Sequence, residues 1–286
     1  MSTSLILTIC LFIAIFFIWN TYLLRVIIVR LPFNYPNPEN RQKKAASKQS
    51  LVCFGDSNTH GNVSYDWVGK VRNELLKMTV FNAGINADLT FSLLRRIDEI
   101  ILIQPDFITI LIRTNDVNAV LSEKNLKRYI ERNKIQNDES PSEELFVKNY
   151  SNILTQLKNK TNAHIALVSI PLLSEDLSAR SNKICHKYSE HIETLSKQFE
   201  IDLLDLRKGQ IELVTNNYPN QFWSISKSRI MINISMFLHY TFGLSWTSIG
   251  NIFGNQTSPD NIHLNEKTGN ILSELVLNWI NKKEKQ

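Results

Sequence analysis

Short apolar runs and amphipathic stretches alternate through most of the chain. Residues 51–54, 107–112, 164–170 and 201–206 are largely apolar runs bounded by polar, Gly or Pro positions and predict strands, and the pair 80–81 reads as the edge of another. Between them, residues 67–78, 89–103, 117–131, 142–160 and 178–199 repeat their apolar positions at helical spacing, as do residues 272–280 near the end. Asp88 stands where it can cap the second of these helices. Strand and helix in regular alternation predict an α/β fold: a mostly parallel five-stranded sheet with helices on both faces.

Two regions depart from this rhythm. Residues 5–24 form an apolar run without a charge, interrupted only by Asn20 and Thr21. Such a length can cross a hydrocarbon core of roughly 30 Å, and no Lys or Arg precedes it as in a cleaved signal peptide. The expectation is an N-terminal transmembrane anchor over residues 1–30, then a Pro-rich polar linker over 31–49, then one catalytic-sized domain over 50–286. Arg25, Arg30, Arg41, Lys43, Lys44 and Lys48 all follow the anchor and favour a cytoplasmic domain, whereas Asn-x-Ser/Thr triplets such as that at Asn62 matter only in a secretory lumen. The side of the membrane stays open. Residues 209–258 are too long for a simple connection, and 222–253 are rich in Ile, Met, Phe and Trp. They read as a further core helix or as an apolar flap over a site or against a bilayer.

Composition narrows the function. Lys and Arg number 32 against 27 Asp and Glu, a net charge of +5. These charges form no basic stripe interleaved with aromatics, so a nucleic-acid platform is disfavoured. The three cysteines lack metal-ligand spacing and suggest small buried hydrophobes rather than a disulfide framework.

Ligands of open α/β sheets gather where strands end. Gly55-Asp56-Ser57-Asn58 follows the first strand, Asn82-Ala83-Gly84 the second and Thr114-Asn115-Asp116 the third; Asp260-Asn261-Ile262-His263 precedes the last helix. Together they supply what acyl transfer needs. Ser57 is a nucleophile, His263 a base, and Asp260, three residues earlier, can orient the imidazole. The backbone N–H groups of Ser57 and Gly84 and the side-chain amide of Asn115 can form an oxyanion hole. Asp56 and Asp116 read as braces, and His60 as a loop residue near the site mouth.

Ser57, Gly84, Asn115 and His263, in that order, resemble the four blocks of the SGNH (GDSL-type) hydrolases over about residues 50–280. The opening FGDSNTHG is closest to the arylesterase-like branch. The resemblance implies a flavodoxin-like three-layer α/β/α sandwich and ester hydrolysis without metal or cofactor, on acyl lipids, acetylated sugars, aryl esters or thioesters. One block departs: the family's glycine before x-Asn-Asp is Arg113 here, which places the neighbouring backbone in question and makes Arg113 a candidate contact for an anionic substrate group.

The residues therefore predict a membrane-anchored serine esterase acting on a lipid or small-molecule ester, of unstated oligomeric state. Three rivals stand beside it. One is a metallophosphoesterase using Asp56, Asn58, His60, Asn115, Asp116 and His263; another is an acyltransferase acting on glycans through the same acyl-enzyme; the third is a non-catalytic binding module.

Overall fold

The computed structural model describes residues 3–42, 49–136, 139–214 and 223–285. Helix α1 (Thr3–Val29) and the short α2 (Pro38–Arg41) precede the sheet. Strands and helices then alternate: β1 (Gln49–Gly55), α3 (Ser57–His60), α4 (Trp67–Glu74), β2 (Met78–Gly84), α5 (Thr90–Arg95), α6 (Ile97–Ile101), β3 (Phe107–Leu111), α7 (Thr114–Leu121), α8 (Glu123–Glu131), α9 (Glu143–Lys160), β4 (His164–Val168), α10 (Arg180–Phe199), β5 (Asp202–Leu204) and α11 (Leu206–Leu213). Helices α12 (Ser228–Phe242), α13 (Trp246–Ile252) and α14 (Glu266–Lys283) complete the chain.

All strand pairs are parallel, in the order β2-β1-β3-β4-β5. Side chains alternate across a strand, so β1 feeds two cores. Val52 and Phe54 pack with Phe81, Ile108, Ile110 and the apolar stripes of α9 and α10. Leu51 and Cys53 pack on the other face with Val80, Leu111, Trp67 of α4 and Leu272 and Val276 of α14. Both faces are covered, which is why the strands read as continuous apolar runs.

Three sequence expectations change. Asp88 does not cap a helix: Leu89 is the N-cap of α5, and the Asp88 carboxylate instead binds Arg96 Nε at 2.8 Å and Lys134 Nζ at 2.6 Å. Among the described residues no helix is long and apolar enough to cross a membrane. The expected transmembrane anchor over residues 1–30 thus finds no support, and α1 is docked on the domain. Asn20, the polar interruption in the apolar run, is buried and accepts a 2.7 Å hydrogen bond from Thr241 Oγ1 of α12, while Phe16 meets Phe237 edge-on. The opposite face of α1 leaves Leu7, Leu11, Ile18 and Trp19 exposed.

The segment after α1, expected as linker, also packs. Tyr35 is buried with its hydroxyl donating to Glu99 Oε2 at 2.5 Å, and Asn34 Nδ2 donates to the Val80 carbonyl at 2.7 Å. Lys43, Lys44 and Lys48 of the expected linker, and Phe222 at the start of the apolar segment, lie outside the described residues. The rest of that segment folds as α12 and α13, closed by a small core of Met231, Trp246, Ile249 and Phe253.

Candidate active site

The site is built where β1, β2 and β3 end. Gly55 ends β1 against β3 and the α3 turn: a Cβ there would lie 2.3 Å from the Leu111 carbonyl oxygen and 2.3 Å from Thr59 Oγ1. The chain then turns at Asp56, the N-cap of α3, whose Oδ1 accepts the Asn58 N–H at 2.9 Å. This places Ser57 at the first helical position, where a backbone N–H has no intrahelical partner.

His263 reaches Ser57 from the loop before α14. Its Nδ1–H donates to Asp260 Oδ2 at 2.7 Å, and Ser57 Oγ donates to Nε2 at 3.0 Å. Asp260 Oδ1 accepts the N–H of His263 at 2.8 Å and that of Ile262 at 3.0 Å. The carboxylate thus fixes both the ring and the backbone that carries it. The structure brings together Ser57, His263 and Asp260, in the hydrogen-bonded order expected for a nucleophile, a base and its orienter.

Asn115, on the first turn of α7 after β3, lines the same cavity as Ser57 and His263. Its orientation is fixed: Tyr129 OH donates to Oδ1 at 2.8 Å, while Nδ2 donates to the Asp88 carbonyl at 2.9 Å and, at a long 3.4 Å, to Asp56 Oδ2. Gly84 departs from expectation. It belongs to β2, its N–H donates to Asn82 Oδ1 at 3.0 Å, and it does not line the cavity. Its missing side chain serves packing, since a Cβ would meet His60 N at 2.2 Å. The backbone that does border the cavity is the turn after it, with Ala87 held at φ 62°. Among the described residues the Ala87 N–H makes no hydrogen bond. Sequence reading missed it because β2 runs through Gly84, farther than the apolar pair 80–81 suggests.

Arg113 corrects another expectation. It does not line the cavity. Its side chain is fully buried between the rings of Phe146 (4.7 Å) and Tyr188 (4.5 Å), and none of its nitrogens has a hydrogen-bond partner among the described residues. Burial lowers the guanidinium to about 9. The backbone stays at φ 123°, a conformation that favours glycine.

Other groups brace the site. Asp116 accepts Thr90 Oγ1 at 2.5 Å and the Thr90 N–H at 3.2 Å; burial raises its carboxyl to about 6. Burial raises Asp56 to about 7. His60 Nε2 donates to the Arg30 carbonyl at 2.8 Å, which removes that nitrogen as a base for Ser57, and burial lowers its pKa. Two anchors have no signal in the sequence. Asn58 Oδ1 accepts the Leu264 N–H at 3.1 Å and so ties the nucleophile turn to the histidine loop. Glu175, buried, accepts from Gln256 N, Thr257 N and Thr257 Oγ1 and holds the stretch leading to Asp260. Among the described residues no three His, Cys, Asp or Glu side chains are grouped to hold a metal ion.

The cavity beside Ser57 measures about 550 Å³. Its apolar wall includes Val29, Leu31, Val63, Ile85, Ile232 and Ile262, so α1 and α12 both contribute. A parallel α/β/α sandwich with Ser57, His263 and Asp260 hydrogen-bonded in series beside its strand ends is the arrangement expected from the four blocks. The family model described as GDSL-like Lipase/Acylhydrolase family matches residues 53–226, more than half of the chain, and the protein belongs to that family. It is a serine carboxylic ester hydrolase by family. No curated protein matches it. Among solved structures it is similar to the acetyl xylan esterase AlAXEase (17% identity, 81% of this chain and 99% of that one, TM-score 0.55). It is also similar to a lipase/acylhydrolase from Enterococcus faecalis (16%, 82% and 96%, 0.54). A third is a catalytic mutant of Axe2, an acetylxylan esterase from Geobacillus stearothermophilus (16%, 81% and 94%, 0.58). At these identities the likeness is one of fold.

Proposed function

We propose that the protein hydrolyses the ester of a small molecule through an acyl-enzyme on Ser57. The observation that carries this is the Asp260–His263–Ser57 chain of hydrogen bonds, at 2.7 and 3.0 Å, opening onto the cavity. Ser57 Oγ attacks the carbonyl carbon and its proton passes to His263 Nε2. Asp260 keeps the ring in the tautomer that accepts it and stabilises the resulting imidazolium. The negative charge on the carbonyl oxygen is met by the N–H groups of Ser57 and Ala87 and by the Asn115 Nδ2–H that otherwise makes only the long 3.4 Å contact with Asp56 Oδ2, in place of the Gly84 donor expected from the sequence. Collapse of the tetrahedral species breaks the ester C–O bond, and His263 returns the proton to the leaving alcohol. Water, deprotonated by His263, then releases the acid and frees Ser57.

A membrane anchor and a free apolar flap over the site would favour a hydrophobic acyl group. The first lacks support, and most of the second is the α12–α13 layer, so the acyl chain is left to measurement. The first experiment is hydrolysis of 4-nitrophenyl esters from acetyl to palmitoyl by the full chain and by Ser57→Ala, with fluorophosphonate labelling of both. EDTA-resistant turnover and labelling that both vanish in Ser57→Ala are expected. Turnover that survives the substitution would sink the mechanism, and loss of turnover in EDTA would revive a metal-dependent one.

A further inference from the structure

We propose that the cavity takes an ester carrying an anionic group, a carboxylate, sulfate or phosphate, near the scissile bond. This rests on the esterase reading for the word ester, and on charge for the rest. Among the described residues, five cations line the cavity, Arg30, Arg128, Arg132, Lys134 and Arg229, and no Asp or Glu does. They come from separate places in the chain: the end of α1, α8, the turn after α8, and α12. A chain whose net charge is only +5 thus gathers five positive side chains around one opening.

These cations are largely uncompensated. Lys134 is paired, but with Asp88, which already serves Arg96. Arg128 donates to the neutral Asn125 Oδ1 at 3.3 Å. Arg30, Arg132 and Arg229 are exposed and have no ion pair among the described residues. Glu123 and Glu131 of α8 do not line the cavity. Like charges converging on a concave, partly apolar surface repel one another and focus a positive potential into it. A bound anion relieves that repulsion, and guanidinium groups suit oxyanions because they present paired donors. A neutral substrate would leave the field unused.

The test uses the full chain and matched ester pairs. In one arm the charge is on the acyl side: mono(4-nitrophenyl) glutarate against 4-nitrophenyl pentanoate. In the other it is on the alcohol side: 4-acetoxybenzoate against phenyl acetate. In at least one arm the anionic ester is expected to have a kcat/KM about tenfold above its neutral partner. That ratio should fall to about two or less in the triple variant Arg128→Gln, Arg132→Gln, Arg229→Gln. It should also shrink as salt is raised, since screening weakens such steering. Ratios near one in both arms, from an enzyme that does turn over the neutral esters, would overturn the proposal. Failure to turn over any ester would count against the esterase reading instead. Calorimetry on Ser57→Ala then decides the charge question alone: tighter binding of the anionic member of a pair supports it, and equal binding of both members in both arms refutes it.

Discussion

Asp260 spends one oxygen on two backbone N–H groups and the other on the imidazole. Asp260→Asn can keep the backbone contacts but presents an amide N–H to Nδ1, which favours the wrong tautomer. A loss on the order of 10⁴ in kcat with little change in KM is expected, by analogy with the triad aspartate of serine proteases. Equal losses in kcat and fold stability would show a structural role only. Asp56 makes a pH prediction. Burial holds its carboxyl at about 7 in the fold, against about 4 when unfolded. A group raised in this way gives stability below about pH 4 that is lost as pH rises through about 7. Asp116, raised to about 6, acts in the same direction. Asp56→Asn should therefore flatten the fall of Tm between about pH 4 and about pH 7, and an unchanged slope would refute the assignment. Arg113 offers a third test at this scale. Its charge is buried without a hydrogen bond, so Arg113→Met, which can keep the contact with Phe146 and Tyr188, removes a desolvation cost. The variant is expected to be neutral to about 1 kcal/mol more stable in urea melts, with unchanged selectivity for anionic esters. A loss of that selectivity would return Arg113 to the substrate site.

Helix α1 closes one side of the cavity, and its last turn is held by the domain. Its final carbonyls would otherwise lack partners. Asn62 Nδ2 donates to the Ile27 carbonyl at 2.7 Å, Asn86 Nδ2 to that of Ile28 at 2.8 Å, and His60 to that of Arg30. A glycan on Asn62 Nδ2 would occupy the same atom and conflicts with this docking. The double variant Asn62→Ala, Asn86→Ala gives up two such bonds, each about 1 kcal/mol. Faster proteolysis after Arg30 and a raised KM with a smaller change in kcat are expected. Proteolysis and KM both at wild-type values would show that α12 and His60 suffice to hold the helix. The elements of the sandwich were far more legible than this one. Apolar runs such as 107–112 can only be buried strands in an alternating chain, whereas residues 5–24 are apolar whether they meet lipid or protein. What separates the two is Asn20, whose partner Thr241 lies far along the chain.

At the scale of the molecule, function depends on charges and loops that no window of sequence contains. Increasing salt should lower kcat/KM for the favoured anionic ester while leaving that for its neutral partner nearly level; parallel curves would show that the field of the five cations does not reach the bond. The sequence by itself determined the α/β class and pointed to the set Ser57, Asn115, Asp260 and His263, because burial demands apolar runs and acyl chemistry demands particular side chains beside their ends. It could not determine which stretch of backbone borders the cavity, since a strand's end is set by pairing with its neighbour: β2 ran on to Gly84 and left Ala87 at the rim. Nor could it determine that Arg113 is buried while Arg30, Arg128, Arg132 and Arg229 converge. A charge has the same letter in solvent, in a core or around a cavity. Only the packing of distant elements decides which of these surrounds it, and with that its energy and its use.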